Sequence, residues 1–180
     1  MIQEVPHIGK PNTSTGSWES SQYTKLHIWT LVQFKKVFYI DADCIVMEDP
    51  SSIFEVDSDF AAAPDVFPPD CFNAGVLLIK PSLDYFKTLV DKIATTGSYD
   101  GGDTGFLNSI LREEWWKSAN SRLEYTWNCQ RILYWFTIKR TRGYWETLEE
   151  RKIKIIHYSS SPKPWENMSK PGGDLELIWV

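Results

Sequence analysis

The chain has few cysteines and no long apolar run. Cys44, Cys71 and Cys129 are the three cysteines among its 180 residues, and no two of them stand in C-x-x-C spacing. This odd, scattered set indicates neither a disulfide framework nor a structural zinc site, and it favours a reducing compartment. No stretch approaches the roughly 18 apolar residues of a membrane span, and residues 1–15 lack the apolar core of a signal peptide. We therefore predict no membrane span in this chain and, by default, a cytoplasmic location.

An excess of positive charge is lacking as well. Lys and Arg number 19 against 24 Asp and Glu, which gives a formal net charge of -5. Without a broad basic field, nucleic acid is not an expected partner, and an anionic ligand would need a local cation or a metal. The hydrophobic share of 42% is ordinary for one globular domain with a real core.

Apolar segments alternate between strand and helix patterns along most of the chain. Residues 1–22 are an exception, because their Pro, Gly, Ser and Thr show no periodicity, so we divide the chain into an irregular lead-in at 1–22 and an ordered domain at 23–180. Strand-length apolar runs occur at 37–40, 59–63, 76–79 and 153–157, and helical spacing occurs at 24–34, with Thr24 as the expected cap, at 83–94 and at 104–111. This order predicts an α/β fold with a mixed central sheet, flanking helices and loops at the strand exits.

The most informative motif is the pair of carboxylates Asp41 and Asp43 at the exit of the apolar segment 37–40. If the strand ends or bends at Ala42, both side chains can converge on one ion, and carboxylate oxygens suit Mg²⁺ or Mn²⁺. Two acids at a strand exit also serve as solvated turn formers or helix caps. The motif alone leaves the metal site open.

Further polar residues follow other apolar segments, at places where ligands bind in open α/β sheets. These are Asn73 with Gly75, Asp100 with Asp103, and His157 with Lys163. His157 could be a nitrogen ligand and Lys163 a phosphate cation. Each has a plainer alternative as a turn residue, a helix cap, a hydrogen-bonded structural histidine or a solvated lysine.

Taken together, these segments resemble glycosyltransferase family 8, the glycogenin-like enzymes with a GT-A fold. The matching blocks, in the family's order, are Thr24-Lys25-Leu26-His27, Tyr39-Ile40-Asp41-Ala42-Asp43, Cys71-Phe72-Asn73-Ala74-Gly75-Val76, Asp100-Gly101-Gly102-Asp103, and His157 followed by Lys163-Pro164-Trp165. The resemblance implies a partial GT-A fold and a metal-dependent hexosyltransferase. Such an enzyme moves a sugar from a UDP-sugar to a glycan, lipid or polyol acceptor with retention of anomeric configuration.

The resemblance also implies a role for each residue of the blocks. It makes Asp41, Asp43 and His157 the ligands of Mn²⁺ or Mg²⁺. It places Asp41, Ala42, Asp43, Asn73, Ala74, Gly75, Ser160 and Lys163 around the donor, and it makes Lys25, Asp100 and Asp103 the catalytic group, with Asp103 nearest the chemistry. Trp135, with Tyr134 beside it, stands where glycogenin carries its self-glucosylated tyrosine, so autoglucosylation is not expected. Thr104 replaces a frequent glutamine and leaves glucose, galactose and glucuronic acid open as donor sugars.

One part of the family pattern is missing. The family's domain ordinarily begins with strands and a helix that cradle the nucleoside, and the roughly two dozen residues before Lys25 are too few for a βαβ unit. We therefore expect residues 23–180 to be the C-terminal portion of such a domain, with poor solubility or a homodimer through an exposed sheet edge. A catalytically silent binding module and a metal-dependent phosphohydrolase are the alternative functions. A missing amino-terminal segment could also carry a signal or anchor for the Golgi.

Overall fold

The computed structural model describes residues 2, 4–9, 21–67, 70–140, 143–167, 175 and 178. Much of the predicted lead-in, residues 10–20, lies outside the described residues, so the division at residue 22 stays a prediction. The strands are β1 (Val37–Ile40), β2 (Cys44–Val46), β3 (Phe60–Pro64), β4 (Phe72–Ile79), β5 (Cys129–Gln130) and β6 (Ile155–His157). The α-helices are α1 (Leu83–Lys92), α2 (Asp103–Lys117), α3 (Arg131–Arg140) and α4 (Tyr144–Glu150). Short 3-10 helices occupy Gln22–Thr30, Ser51–Glu55, Ala119–Ser121, Tyr125–Trp127 and Pro164–Asn167.

The described strands form two three-stranded sheets. The first sheet has the order β1-β4-β3 and is antiparallel throughout, with Ile40 opposite Val76. The second has the order β2-β6-β5, in which β2 runs antiparallel and β5 parallel to β6. The α/β class and the mixed strand directions are as predicted, but the strands divide between two sheets, because the chain leaves the first sheet after Ile40 and enters the second at Cys44.

The main core lies around β4, whose eight residues are all buried. Helix α2 packs on this strand, and Phe106, Leu107, Leu111 and Trp115 recur at helical spacing on its buried face. Trp115 Nε1 donates to Ala62 O at 2.9 Å, so this buried indole also satisfies its polar atom.

Two local predictions were wrong in detail. The segment predicted as a helix at 24–34 is the 3-10 helix Gln22–Thr30; Leu26 and Trp29 are buried as expected, but Thr24 does not cap it. Thr24 Oγ1 instead accepts a hydrogen bond from Ile8 N at 3.2 Å. Asn73 and Gly75, predicted in a loop, lie inside β4.

No helix among the described residues is long and apolar enough to cross a membrane. The compartment predicted from the sequence stays a prediction, and so does the homodimer. Among the described strands, β1 and β3 form the edges of the first sheet.

Candidate active site

The turn Asp41-Ala42-Asp43 joins the two sheets. Asp41 N donates to Gly75 O at 2.8 Å, which continues the pairing of β1 with β4. Two residues later, Tyr158 N donates to Asp43 O at 2.9 Å, which extends the pairing of β2 with β6. The backbone of the turn is therefore fixed from both sides, and its two carboxylates are held at the junction of the sheets.

Lys25 gathers the first group of predicted residues around its ammonium. Its Nζ lies 3.1 Å from Asp41 Oδ1 and 3.0 Å from Ala74 O, and it forms an ion pair with Asp103 Oδ2. The Tyr39 hydroxyl donates to the same Asp41 oxygen at 2.5 Å. Burial lowers the pKa of Lys25, but the Asp103 and Asp41 carboxylates outweigh burial and raise that pKa above its ordinary value. Lys25 therefore stays a cation with two carboxylate partners.

Asp43 lies at the centre of the second group. Its Oδ1 is 3.2 Å from His157 Nε2, and its Oδ2 accepts from Lys163 Nζ at 2.5 Å. Lys163 Nζ also donates to Tyr158 O at 2.7 Å. Burial raises the pKa of Asp43, but the hydrogen bonds and charges of His157 and Lys163 outweigh it and hold that pKa well below its ordinary value. Asp43 is therefore a carboxylate across the whole neutral range.

A chain of buried amides fixes the orientation of the His157 ring. Asn73 Oδ1 accepts from Gly75 N at 2.9 Å, so the atom that Asn128 presents to it at 2.9 Å is the donor Nδ2. Asn128 then presents Oδ1 to His157 Nδ1 at 2.9 Å, which makes Nδ1 the protonated nitrogen. His157 Nε2 therefore faces Asp43 Oδ1 either with a proton between them or with a lone pair directed at a shared cation.

The donor set at this point fits Mn²⁺. Ligand atoms of Asp43, Cys44 and His157 lie within 4.8 Å of one another. Burial raises the pKa of the Cys44 thiol, so it stays protonated and is a poor ligand for a hard ion. A carboxylate and an imidazole with a fixed tautomer remain, which suit Mn²⁺. Asp41 is the anionic partner of Lys25 in this structure, and its predicted role as a third ligand stays a prediction.

Gly75 permits the close packing of His157 against β4. A Cβ added at Gly75 would lie 2.2 Å from His157 Cε1 and 2.7 Å from Nδ1. Glycine inside a strand pattern is a recognised sign of close approach by another group. The sequence therefore signals a close approach at Gly75, but it does not reveal that the approaching group is the His157 ring.

Gly75→Ala is expected to destabilise the fold by about 1–3 kcal/mol, because the methyl group would displace the buried His157 ring. Chemical denaturation checks this value. Gly97→Ala is the matched control, since a Cβ at Gly97 would meet nothing within 4 Å, and its effect should stay within about 0.5 kcal/mol. Equal stability of the two variants would show that the ring does not lie against Gly75.

Asp100 organises the loop before α2. Its Oδ1 accepts from Gly102 N at 2.8 Å, from Gly105 N at 3.0 Å and from Ser98 Oγ at 2.7 Å. Thr104 Oγ1 accepts from Ala74 N at 3.2 Å and ties the first turn of α2 to β4. Asp100 thus accepts from an N–H in the first turn of α2, although Gly102 is the N-cap residue of that helix. Its contact with a donor sugar stays a prediction.

Asp65 and Gln130 adjoin the candidate site, and the sequence interpretation missed them. Asp65 Oδ1 accepts from Gln130 Nε2 at 3.0 Å, and its Oδ2 lies 3.5 Å from Asn73 Nδ2. Asp65 directly follows β3, so it carries the same strand-exit signal as Asp41. Asn128 and Gln130 carried no such signal, because a two-residue strand leaves no pattern.

Arg131 holds the loop that precedes Lys163. Its side chain is buried, and its guanidinium donates to Ser160 O at 2.6 Å and to Pro162 O at 2.7 Å. It also lies 4.4 Å from the centre of the Trp135 ring, as a cation–π pair. Trp135 therefore supports Arg131, and the Ser160 carbonyl is occupied by an intramolecular partner.

Comparison with known proteins points in one direction. The family model for glycosyl transferase family 8 matches residues 7–169. Glycogenin-1 of Caenorhabditis elegans is 36% identical over 145 residues, which are 79% of this chain and 32% of that protein. UDP-glucuronate:xylan alpha-glucuronosyltransferase 2 of Arabidopsis thaliana is 29% identical over 167 residues, 91% of this chain and 26% of that protein. The crystal structure of the glycosyltransferase GlyE of Streptococcus pneumoniae superposes with a TM-score of 0.66 at 28% identity, over 91% of this chain and 43% of that one. The chain thus spans less than half the length of each.

Proposed function

The chain belongs to glycosyltransferase family 8, and from that membership we propose that it is a metal-dependent, retaining hexosyltransferase that uses a UDP-sugar. One observation carries the proposal: the carboxylate of Asp43 faces the imidazole of His157 at 3.2 Å, at the junction of the two sheets. Lys163, whose ammonium pairs with Asp43, would add positive charge beside the metal, where a diphosphate needs it.

Asp43 and His157, with Asp41 as the third ligand that the family resemblance implies, would hold Mn²⁺. When bound, Mn²⁺ supplies a Lewis acid that offsets negative charge on the departing UDP. Lys163, now paired with Asp43, supplies an ammonium for the β-phosphate. The family resemblance implies that the backbone at Ala42 and Ser160 would line the same end of the donor site.

The sugar end of the donor would lie toward Lys25 and Asp103. Asp103 provides a carboxylate under the ring, where it stabilises positive charge that develops at the anomeric carbon or bonds to that carbon. In the first case the acceptor hydroxyl attacks the anomeric carbon on the face that UDP leaves, and its proton passes to the departing diphosphate. In the second case Asp103 displaces UDP, and the acceptor hydroxyl then displaces Asp103 from the anomeric carbon. Either route retains the anomeric configuration, and both stay open. The Asn73 amide and the Asp65 carboxylate, which adjoin each other, would bind hydroxyl groups of the sugar.

For the donor sugar and the acceptor, we propose only chemical classes. One similar protein is named as a UDP-glucuronate:xylan transferase, so UDP-glucuronate is a donor to test. UDP-glucose and UDP-galactose are the other two donors that the family resemblance leaves open. The acceptor would be a glycan, a lipid or a polyol.

A donor panel tests the proposal. We expect UDP release from one of these UDP-sugars in Mn²⁺, abolition of that release in EDTA, and none from Asp103→Asn, which assigns turnover to this site. UDP binding with no turnover of any donor would show that the chain is a catalytically silent binding module and not a transferase. Hydrolysis of a simple phosphate ester without a sugar donor would indicate a phosphohydrolase.

Arg131→Met is expected to weaken UDP binding about tenfold and to leave UMP binding nearly unchanged. The reason is that Arg131 fixes the carbonyls of Ser160 and Pro162 and so positions Lys163 for the β-phosphate, which UMP lacks. Calorimetry with both nucleotides measures the ratio. Arg131→Lys keeps the charge but not the fork of donors, so its UDP affinity should fall between those of the unaltered chain and Arg131→Met. An equal loss for UDP and UMP would indicate a general structural role.

A further inference from the structure

Asn128 is a buried polar side chain with no assigned part in binding the donor. It is 0% exposed and directly precedes β5. Its Nδ2 donates to Asn73 Oδ1 at 2.9 Å, and its Oδ1 lies 2.9 Å from His157 Nδ1. Its backbone N–H donates to Tyr125 O at 2.9 Å, which fixes the main chain at this point. Burial of an amide is costly unless its polar atoms are satisfied, so these two side-chain contacts hold Asn128 in place.

A backbone group of β4 sets the direction of the hydrogen bonds through Asn128. Gly75 N donates to Asn73 Oδ1 at 2.9 Å, and a backbone N–H cannot become an acceptor. Asn73 therefore presents an oxygen to Asn128, and a reversed Asn128 amide would place two oxygens against each other. Asn128 can thus offer His157 its carbonyl oxygen, which only accepts.

This carbonyl oxygen decides between the two neutral forms of the His157 ring. When Nδ1 carries the proton, Nε2 keeps a lone pair on the side of Asp43 Oδ1, which is 3.2 Å away. The other form carries its proton on Nε2 and donates it to Asp43, as a strong hydrogen bond to a carboxylate. That hydrogen bond would occupy both the nitrogen and the carboxylate oxygen that a divalent ion needs. Without the Asn128 acceptor, this second form would be favoured.

The surroundings of His157 make the ring dependent on this one acceptor. His157 is 3% exposed, so bulk water has little access to its Nδ1. The ring also packs on Gly75, where an added Cβ would lie 2.7 Å from Nδ1. A ring in such close contact cannot turn toward a different acceptor unless β4 moves.

We propose that Asn128 is a positioning residue, which selects the Nδ1–H form of His157 and so directs the Nε2 lone pair to the metal position beside Asp43. The inference rests on the proposed function, because His157 binds a metal only within that function. It adds to the metal site a residue that acts through His157 and not on the ion itself.

Nuclear magnetic resonance of the metal-free chain tests the form of the ring directly. In mildly alkaline buffer, where imidazole side chains are ordinarily neutral, we expect a one-bond ¹⁵N–¹H signal from His157 Nδ1, assigned by its loss in His157→Gln. Asn128→Leu keeps the volume but not the acceptor, so this signal should disappear and one from Nε2 should replace it. Asn128→Asp keeps an acceptor for Nδ1, so the Nδ1 signal should remain.

Asn108→Leu is the matched control for the loss of a buried amide. Asn108 is 4% exposed, and its side chain bonds to the backbone of Phe72 and not to His157. We expect Asn108→Leu to lower the stability of the fold, as Asn128→Leu does, and to leave the Nδ1 signal of His157 in place. A merely structural role for Asn128 would make the two leucine variants alike in both respects.

Electron paramagnetic resonance of Mn²⁺ gives the second measurement. We expect Asn128→Leu to bind Mn²⁺ about 10–100-fold more weakly, which is the usual effect of removing a group that orients a metal-binding histidine. Asn128→Asp should bind Mn²⁺ at least nearly as tightly as the unaltered chain.

The outcomes separate this inference from the proposed function. An Nδ1–H signal that persists in folded Asn128→Leu, or Mn²⁺ binding as tight as in the unaltered chain, would overturn the positioning role. If Asn128→Leu does not fold, loss of the Nδ1–H signal in Asn128→Asp would overturn it and retention would support it. If the unaltered chain bound no Mn²⁺ while Asn128→Leu changed the form of the ring, the metal-dependent function would fail and the control of His157 by Asn128 would stand.

Discussion

Lys25→Met is expected to lower the free energy of unfolding by about 3 kcal/mol, because breaking a buried ion pair leaves uncompensated charge. The Lys25 side chain is 9% exposed and its partners Asp41 and Asp103 are 28% and 14% exposed. Their partial exposure places the expected loss at the lower end of the usual range for such pairs. Removal of the ammonium would also leave two like charges together.

Urea denaturation of Lys25→Met measures the loss, and Lys80→Met is its control. Lys80 pairs with Asp59 in the open, at 57% and 72% exposure, so its removal should cost less than about 1 kcal/mol. The double variant Lys25→Met/Asp103→Asn should recover part of the stability, since it removes one of the stranded carboxylates. If Lys25→Met matched Lys80→Met, the cluster around Lys25 would not exist in solution.

Asp43→Asn is expected to weaken Mn²⁺ binding by at least about 100-fold, because it removes a charged ligand and leaves His157 without its partner. Electron paramagnetic resonance of Mn²⁺ with UDP present measures the ion itself. This readout matters because Asp43 also binds Lys163, and a freed ammonium could strengthen the binding of a nucleotide without any metal.

Asp59→Asn is the control for Asp43→Asn, since it removes the same charge from an exposed pair. Its Mn²⁺ affinity should equal that of the unaltered chain. If Asp43→Asn folded normally and bound Mn²⁺ as tightly as Asp59→Asn, the metal site would not include Asp43.

The sequence indicated which residues belong to the candidate site, but it did not indicate the contacts among them. Strand exits revealed Asp41, Asp43 and His157, because apolar runs followed by acids or an imidazole are local patterns. The pairing of Asp41 with Lys25 joins residues from separate elements, and periodicity carries no information about such contacts. The resemblance to the family supplied Lys25, which its own surroundings in the sequence would not have distinguished.

In the fold, the long elements were predicted from the sequence and the short ones were missed. Long apolar elements such as β4 and α2 were found from their patterns, although each extends beyond its predicted bounds. The second sheet was missed in large part, since β2 and β5 have three and two residues. Asn128 lies beside one of these short strands, so the amide chain that orients His157 became visible only in three dimensions.

Calorimetry of UDP binding, in Mn²⁺ and then in EDTA, tests the central claim most directly. We predict that the folded chain binds UDP in Mn²⁺ and loses most of that affinity in EDTA, because we propose that Asp43 and His157 hold the metal of the diphosphate site. Absence of UDP binding by correctly folded protein in Mn²⁺, or binding that EDTA leaves unchanged, would contradict the assignment of a metal-dependent donor site.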